Sequence, residues 1–318
     1  MSVINLLFAF SVSSSGLVAY RAGSNAKSQL TWFDRTGKTL GTLAPPAENQ
    51  VYPELSPDGR TAAIDWFVQN NRDVWLLDGV HTIRGTYDPS ADDRAVWSPD
   101  AKSIVFGSNR KGPYNLFRRS LAGGADEQLV DSTQFKVAND WSSDGRFVLY
   151  SSSDPQTGAD LWVLPMEGDR KARVFLKTPF QENWARFSPD GRWVAYQSNE
   201  TGRNEIYVRP FNDPSAGQSP VSTAGGVSAR WRADGKELYF IAADGMMMAV
   251  PIITRGDTIV PGSPAPLFPV GRIVSGGKNV FRQQYDVAPD GRFLLNLTLD
   301  DTVTSPITLL QNWKPPVK

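Results

Sequence analysis

The 318-residue chain contains no cysteine, which excludes disulfides, thiolate metal sites and cysteine nucleophiles but is neutral about compartment. It has one histidine, His81, so no multi-histidine metal centre can be built. A Ser-His-Asp triad would have to use that residue. No stretch approaches the ~20 apolar residues of a membrane span, so no membrane insertion is expected. Basic and acidic residues each number 33, a formal net charge of zero, which removes the electrostatic case for nucleic acid as a partner. The opening MSVINLLFAFSVSSSG has an apolar run, Leu6 to Phe10, that lacks a basic flank and is short for a signal-peptide core. Residues 5–13 are read instead as strand.

What is present is turn chemistry and aromatic mass. There are 27 glycines and 23 prolines, which require frequent turns, and 10 Trp, 16 Phe and 9 Tyr to fill a core. The stretch from Phe187 to Phe211, FSPDGRWVAYQSNETGRNEIYVRPF, reads as two strands behind an SPDG turn. Proline fixes φ at the second turn position, aspartate bonds the local backbone, and glycine takes the left-handed conformation that closes the turn. The turn aspartate recurs at Asp58, Asp100, Asp144, Asp190, Asp234 and Asp290, at intervals of 42, 44, 46, 44 and 56 residues. A period in the forties with four strand-like runs per unit marks a β-propeller. A seventh, degenerate copy runs from Phe10 to Tyr20.

The expected fold is therefore all-β, a single propeller of seven four-stranded blades. The repeats fall at about 5–44, 50–88, 92–132, 136–178, 182–224, 226–270 and 282–318, and the two ends of the chain close the ring. The last unit has no fourth strand of its own, and Val3–Phe8 is the candidate to supply it. The alternative is six blades, with the N-terminal and last copies sharing one. Gly256–Asn279 reads as a long surface loop.

The residue just before each turn is apolar (Val12, Leu55, Trp97, Trp141, Phe187, Trp231, Val287) and is expected to pack between blades. One residue earlier stand Ser11, Glu54, Val96, Asp140, Arg186, Arg230 and Asp286. Five of these are charged and fall on innermost strands. In blade order Asp140 neighbours Arg186, and Arg230 neighbours Asp286, so inter-blade ion pairs near the central channel are expected.

The repeated SPDG-[RK] unit, with its following apolar strand and short aromatic strand, resembles the TolB-like, WD40-like (PD40) propeller repeat. Leu30–Gly37, Phe187–Phe211, Met248–Val250, Leu267–Phe268, Tyr285–Phe293 and Ile307–Trp313 are similar to the propellers fused behind bacterial serine/threonine kinase domains. Related propellers gate prolyl-oligopeptidase-type peptidases. The resemblance implies an accessory or sensor module, and it favours periplasm or cell surface as the compartment. No kinase signature and no Gly-x-Ser-x-Gly elbow is present, so no catalytic residue carries over.

In a propeller the loops between second and third strands share a face with those joining one blade to the next. Varied polar loops on a rigid face are where partners bind. The candidate binding residues there are Arg110, Lys111, Tyr114, Asp92, Asp93, Glu200 and Arg203. In the channel they are Asp140, Arg186, Arg230 and Asp286. Arg110, Lys111, Arg118 and Arg119 read as a basic cluster. Asp88, Asp92 and Asp93 read as a solvated acidic loop, and His81 as a solvated or locally bonded turn residue. Of Met246, Met247 and Met248, alternation puts at least one in the core. No catalytic residue, metal site or cofactor is expected. The chain reads as a monomeric, non-enzymatic scaffold or sensor that binds a protein, peptide or small ligand. The alternatives are a hydrolase or lyase acting in the channel, or the gating propeller of a peptidase-like protein.

Overall fold

The computed structural model describes residues 9–13, 17–21, 27–271, 283–299 and 307–310. Within them each SPDG-type turn joins the innermost strand of a blade to the next strand out. In the first, Asp58 Oδ1 accepts from Ser56 Oγ at 2.6 Å and from the Arg60 amide at 3.1 Å. Ser56 Oγ in turn accepts from the Thr61 amide at 3.0 Å, and Gly59 sits at φ 68°. The same bonds recur around Asp100, Asp144 and Asp190. One copy departs: Ala101, not glycine, occupies the left-handed position, at φ 57°.

Six blades form a closed ring. From inside out, blade 1 is Gln50–Leu55, Ala62–Val68, Asn71–Leu77 and Thr82–Arg84. Blade 2 is Asp92–Trp97, Ser103–Ser108, Asn115–Ser120 and Glu127–Gln128. Blade 3 is Lys136–Trp141, Phe147–Asp154, Gly158–Pro165 and Arg173–Leu176. Blade 4 is Glu182–Phe187, Trp193–Ser198, Glu205–Pro210 and Ser219–Pro220. Blade 5 is Gly226–Trp231, Glu237–Ala242 and Met246–Arg255, the last paired with both Thr258–Pro261 and Ala265–Pro269. Blade 6 joins the two ends of the chain. Tyr285–Val287 and Phe293–Thr298 are completed by Lys27–Phe33 and Thr39–Thr42. Each innermost strand touches that of the next blade, and Tyr285–Val287 touches Gln50–Leu55 to close the circle.

This corrects the expected blade number from seven to six. The strand Lys27–Phe33 does not pair with the N-terminal hairpin. It pairs antiparallel with Phe293–Thr298, Asn296 opposite Leu30. The hairpin Ala9–Val12 and Val18–Arg21 instead takes Ile307–Leu310, making a three-stranded sheet outside the ring. Repeats 5–44 and 282–318 therefore share blade 6, in a pairing that local sequence does not favour over the adjacent hairpin. Val3–Phe8 lies outside the described residues. The Gly256–Asn279 stretch is likewise not simply a loop, since Thr258–Pro261 and Ala265–Pro269 within it are ladder strands. Its residues 272–279 lie outside the described residues.

Between blades the packing is apolar. Leu149, Leu161 and Val163 of blade 3 meet Ala185, Phe187 and Val194 of blade 4 in one buried cluster. Met247 is fully buried in another, with Phe268 and Phe293. Such burial is the main favourable term that holds blade to blade. The pre-turn aromatics lie at these seams. The Trp97 indole donates to the Glu54 carbonyl of the previous blade at 3.0 Å, and Trp231 to that of Arg186 at 3.2 Å.

Candidate functional site

Alternation along the innermost strands places two layers of side chains in the channel. The layer nearer the SPDG turns holds the predicted charges. In a ring of six, blade 1 stands opposite blade 4, and Glu54 reaches across to Arg186. Arg186 Nη2 donates to Glu54 Oε2 at 2.6 Å, and Nη1 donates to Oε1. Gln283 joins both, accepting from Arg186 at 2.9 Å and donating to Glu54 at 3.0 Å. Arg230 donates to Asp286 at 2.7 Å and to Glu54 at 3.3 Å. Asp140 lies 3.7 Å from Arg186. Its Oδ2 accepts from the Phe187 amide at 2.7 Å, as Asp286 Oδ2 does from Leu55. The predicted Arg230–Asp286 pair is thus direct. The Asp140–Arg186 pair is secondary to the cross-channel contact with Glu54. Burial pushes the Asp140 carboxyl up to about 6, against the pull of Arg186.

These groups pair with one another across the channel. Beneath them, at the turn face, lies a cavity of about 370 Å³ bordered by Trp97, Trp141, Trp231, Pro99, Pro189 and Pro289.

The layer nearer the opposite face comes from a bulge. The ladder slips between Val51 and Glu54, between Asp93 and Val96, and between Asn183 and Arg186. The slips put Tyr52, Arg94 and Trp184 in the left-handed region, at φ 57°, 52° and 54°. Non-glycine residues are rare there, and such strain concentrates at functional sites. Tyr52 and Trp184 stack across the channel at 5.9 Å. The Arg94 guanidinium lies 4.8 Å from the Tyr52 ring, 5.6 Å from Trp184 and 5.9 Å from Phe135. Phe135 also meets Tyr114 at 5.1 Å. Below, Arg72 donates to Asp93 at 3.3 Å, and the Arg94 amide donates to Asp65 at 2.7 Å. Burial, then the nearby Asp93, pushes the Asp65 carboxyl well up. Burial raises Asp93 as well.

On this same face a cleft of about 470 Å³ opens between blades 4 and 5. Gln181, Asn199, Arg203, Asn204 and the Gly225–Gly226 backbone line it. It brings the Asn199–Asn204 loop together with the blade-to-blade connection.

Other predicted residues fall differently. Asp92 and Asp93 are buried at the head of a strand and are not a solvated loop. Burial raises Asp92 to about 6 against its bonds to Ser108 and Arg110. The basic cluster is tied up within its blade and the next, two of its four cations by acids. Arg110 bonds Asp126 at 2.7 Å and Asp92 at 3.1 Å over the Phe117 ring. Arg119 bonds Asp126 at 2.8 Å, Arg118 lies over the Trp141 ring, and Lys111 bonds Gln128 at 2.7 Å. The loop spacing showed the cations but not the acids that fold back onto them. Glu200 accepts from Gln218 at 2.5 Å, and Arg203 donates to Glu205 at 2.8 Å. His81 is exposed, its Nδ1 3.0 Å from Asp78 Oδ2. Among the described residues no three His, Cys, Asp or Glu side chains are placed to hold one metal ion. Glu54, Gln283 and the Tyr52–Arg94–Trp184 layer were not on the candidate list. The same repeat alignment, read two positions before the charged one, marks the latter.

Closed rings of this kind are protein-recognition and enzyme scaffolds of the β-propeller class, and the SPDG turn with its serine–aspartate bonds narrows the class further. The chain has a TolB-like β-propeller fold. No family model matches it. It is 26% identical over 171 residues to the Tol-Pal system protein TolB of Wolinella succinogenes, a match covering 51% of this chain and 39% of that protein. It is 28% identical over 161 residues to an uncharacterized Agrobacterium fabrum protein, covering 44% of this chain and 52% of the other. These matches span about half or less of the relatives' length. A structure assigned to TolB from Agrobacterium tumefaciens superposes with a TM-score of 0.68 at 17% identity, covering 87% of this chain and all of that one. An oligogalacturonate lyase in complex with manganese gives 0.56 at 13% identity, covering 91% and 96%. At such identities the likeness is one of fold.

Proposed function

We propose that the chain is a non-enzymatic recognition module that binds a peptide segment of a protein partner on its loop face. One observation carries this reading. The loop face holds an open cleft and a partly exposed aromatic layer, whereas the charges at the turn-face mouth are consumed by one another. Rigid strands hold these loops, so binding needs little backbone change. The TolB likeness supports a protein partner and a periplasmic or cell-surface setting. A reading by analogy to the manganese-bound lyase would need a cation site, and among the described residues no three His, Cys, Asp or Glu side chains are gathered for one.

The test is partner capture from the native host with two variants. Asn204→Trp fills the loop-face cleft, and Arg60→Trp alters an exposed SPDG turn on the opposite face. The partner is retained by Arg60→Trp and lost with Asn204→Trp. Loss with Arg60→Trp alone would place recognition on the other face.

A further inference from the structure

Arg94 is the least satisfied of the channel arginines. Its Nε is buried and has no hydrogen-bond partner. Its one side-chain hydrogen bond is long, 3.4 Å from Nη2 to the Tyr52 hydroxyl. Among the described residues no carboxylate stands within ion-pair distance of the guanidinium, although Asp93 and Asp65 lie nearby. Every other channel arginine has such a partner: Arg72 has Asp93, Arg186 has Glu54, and Arg230 has Asp286. A guanidinium presents five donors in a flat fork that suits a carboxylate in two-point contact. Leaving those donors idle in a partly desolvated site is costly unless something else takes them.

The charge balance points the same way. Burial pushes the Asp65 and Asp93 carboxyls up alike, which weakens the acidic countercharge facing Arg72 and Arg94. Trp184, Phe135 and Tyr114, all half-buried, surround the guanidinium with flat apolar surface.

We propose that the loop-face mouth of the channel is a carboxylate-binding site, in which Arg94 takes the carboxylate and Trp184 and Phe135 cover the ligand's apolar part. This rests on the loop-face reading and adds a ligand chemistry to it. Two sources can supply the group, a free organic acid or the C-terminus of a chain, and the experiment separates them.

The probes are benzoate, its neutral isostere benzamide, and one short peptide ending in phenylalanine prepared with a free and with an amidated C-terminus. Each is titrated calorimetrically at low salt and pH 7 into the wild-type chain and into Arg94→Met and Arg94→Lys. Benzoate binds the wild type and benzamide does not. Arg94→Met weakens benzoate by about tenfold or more, the loss expected for a charge-assisted hydrogen bond. Arg94→Lys retains the preference for acid over amide at lower affinity. If only the free-terminus peptide outdoes benzoate, the source is a chain end; if neither peptide binds, it is a free acid. Equal binding of benzoate and benzamide overturns the proposal, as does undiminished binding by Arg94→Met. Should Arg94→Met fail to fold, the acid–amide comparison on the wild type and on Arg94→Lys decides alone. Peptides that bind equally with free and amidated ends, and lose binding with Asn204→Trp, overturn the carboxylate site and leave the loop-face reading standing.

Discussion

Removing Arg186 should be among the most damaging single changes in this protein. The side chain is buried and ties its own blade to three others through Glu54, Gln283 and Asp140. Arg186→Met keeps the bulk and removes the charge, leaving Glu54 and Asp140 in a poorly solvated channel. Deleting one partner of a buried pair costs about 3–5 kcal/mol. Glu54 retains Gln283 at 3.0 Å and Arg230 at 3.3 Å, so the lower end, about 3 kcal/mol, is expected. Glu54→Met/Arg186→Met removes the orphan carboxylate and should cost less than Arg186→Met alone, with a coupling of about 1–2 kcal/mol. A simple charge swap should not rescue, because an arginine at position 54 would face Arg230 and a glutamate at 186 would face Asp140. The assay is urea unfolding followed by tryptophan fluorescence, with the denaturant slope unchanged across the set. A loss under about 1 kcal/mol for Arg186→Met, or strict additivity of the two substitutions, would refute the cross-channel lock.

Three further outcomes are expected. Burial raises the Glu182 carboxyl to about 7, against its hydrogen bond from Thr178, so the fold favours the protonated form. Stability relative to Glu182→Gln should therefore be retained below its ordinary 4.5 and fall as pH rises through about 7, and a flat difference across that window would contradict it. Ala101→Gly relieves the left-handed alanine and should raise stability by about 0.5–1 kcal/mol in denaturant unfolding, where a loss would mean the turn tolerates alanine without strain. Trp141→Ala should cost about 3–5 kcal/mol, since the indole is buried, bonds the Gly145 carbonyl and lies under Arg118; a loss below about 1 kcal/mol would mean it is exposed.

Much of the fold was legible because one turn repeats. The spacing of Asp58, Asp100, Asp144, Asp190, Asp234 and Asp290 places each A–B hairpin, and the register around it needs no distant information. The blade count was not legible, because Lys27–Phe33 has two acceptable partners and sequence proximity favours the one not used. That error carried into the site. The charged position before each turn was found, but Arg186 and Glu54 face one another only in an even-numbered ring, since a ring of seven has no opposite blade. Asp92 and Asp93 were misjudged for another reason. Their burial depends on Arg110 folding back from the following loop and Arg72 arriving from a strand of the previous blade, which no local pattern announces. Tyr52, Arg94 and Trp184 share one repeat position, but the bulge that turns them into the channel is not marked by their residue types.

Peptide-level hydrogen exchange of the chain with its captured partner tests the central claim most directly. Recognition on the loop face predicts slowed exchange in the segments around Tyr114, Phe135, Asn199–Asn204 and Gly225–Val227, with the SPDG turns unchanged. Protection confined to the turns at Asp58, Asp100, Asp144 and Asp190, with the loops unaffected, would contradict it.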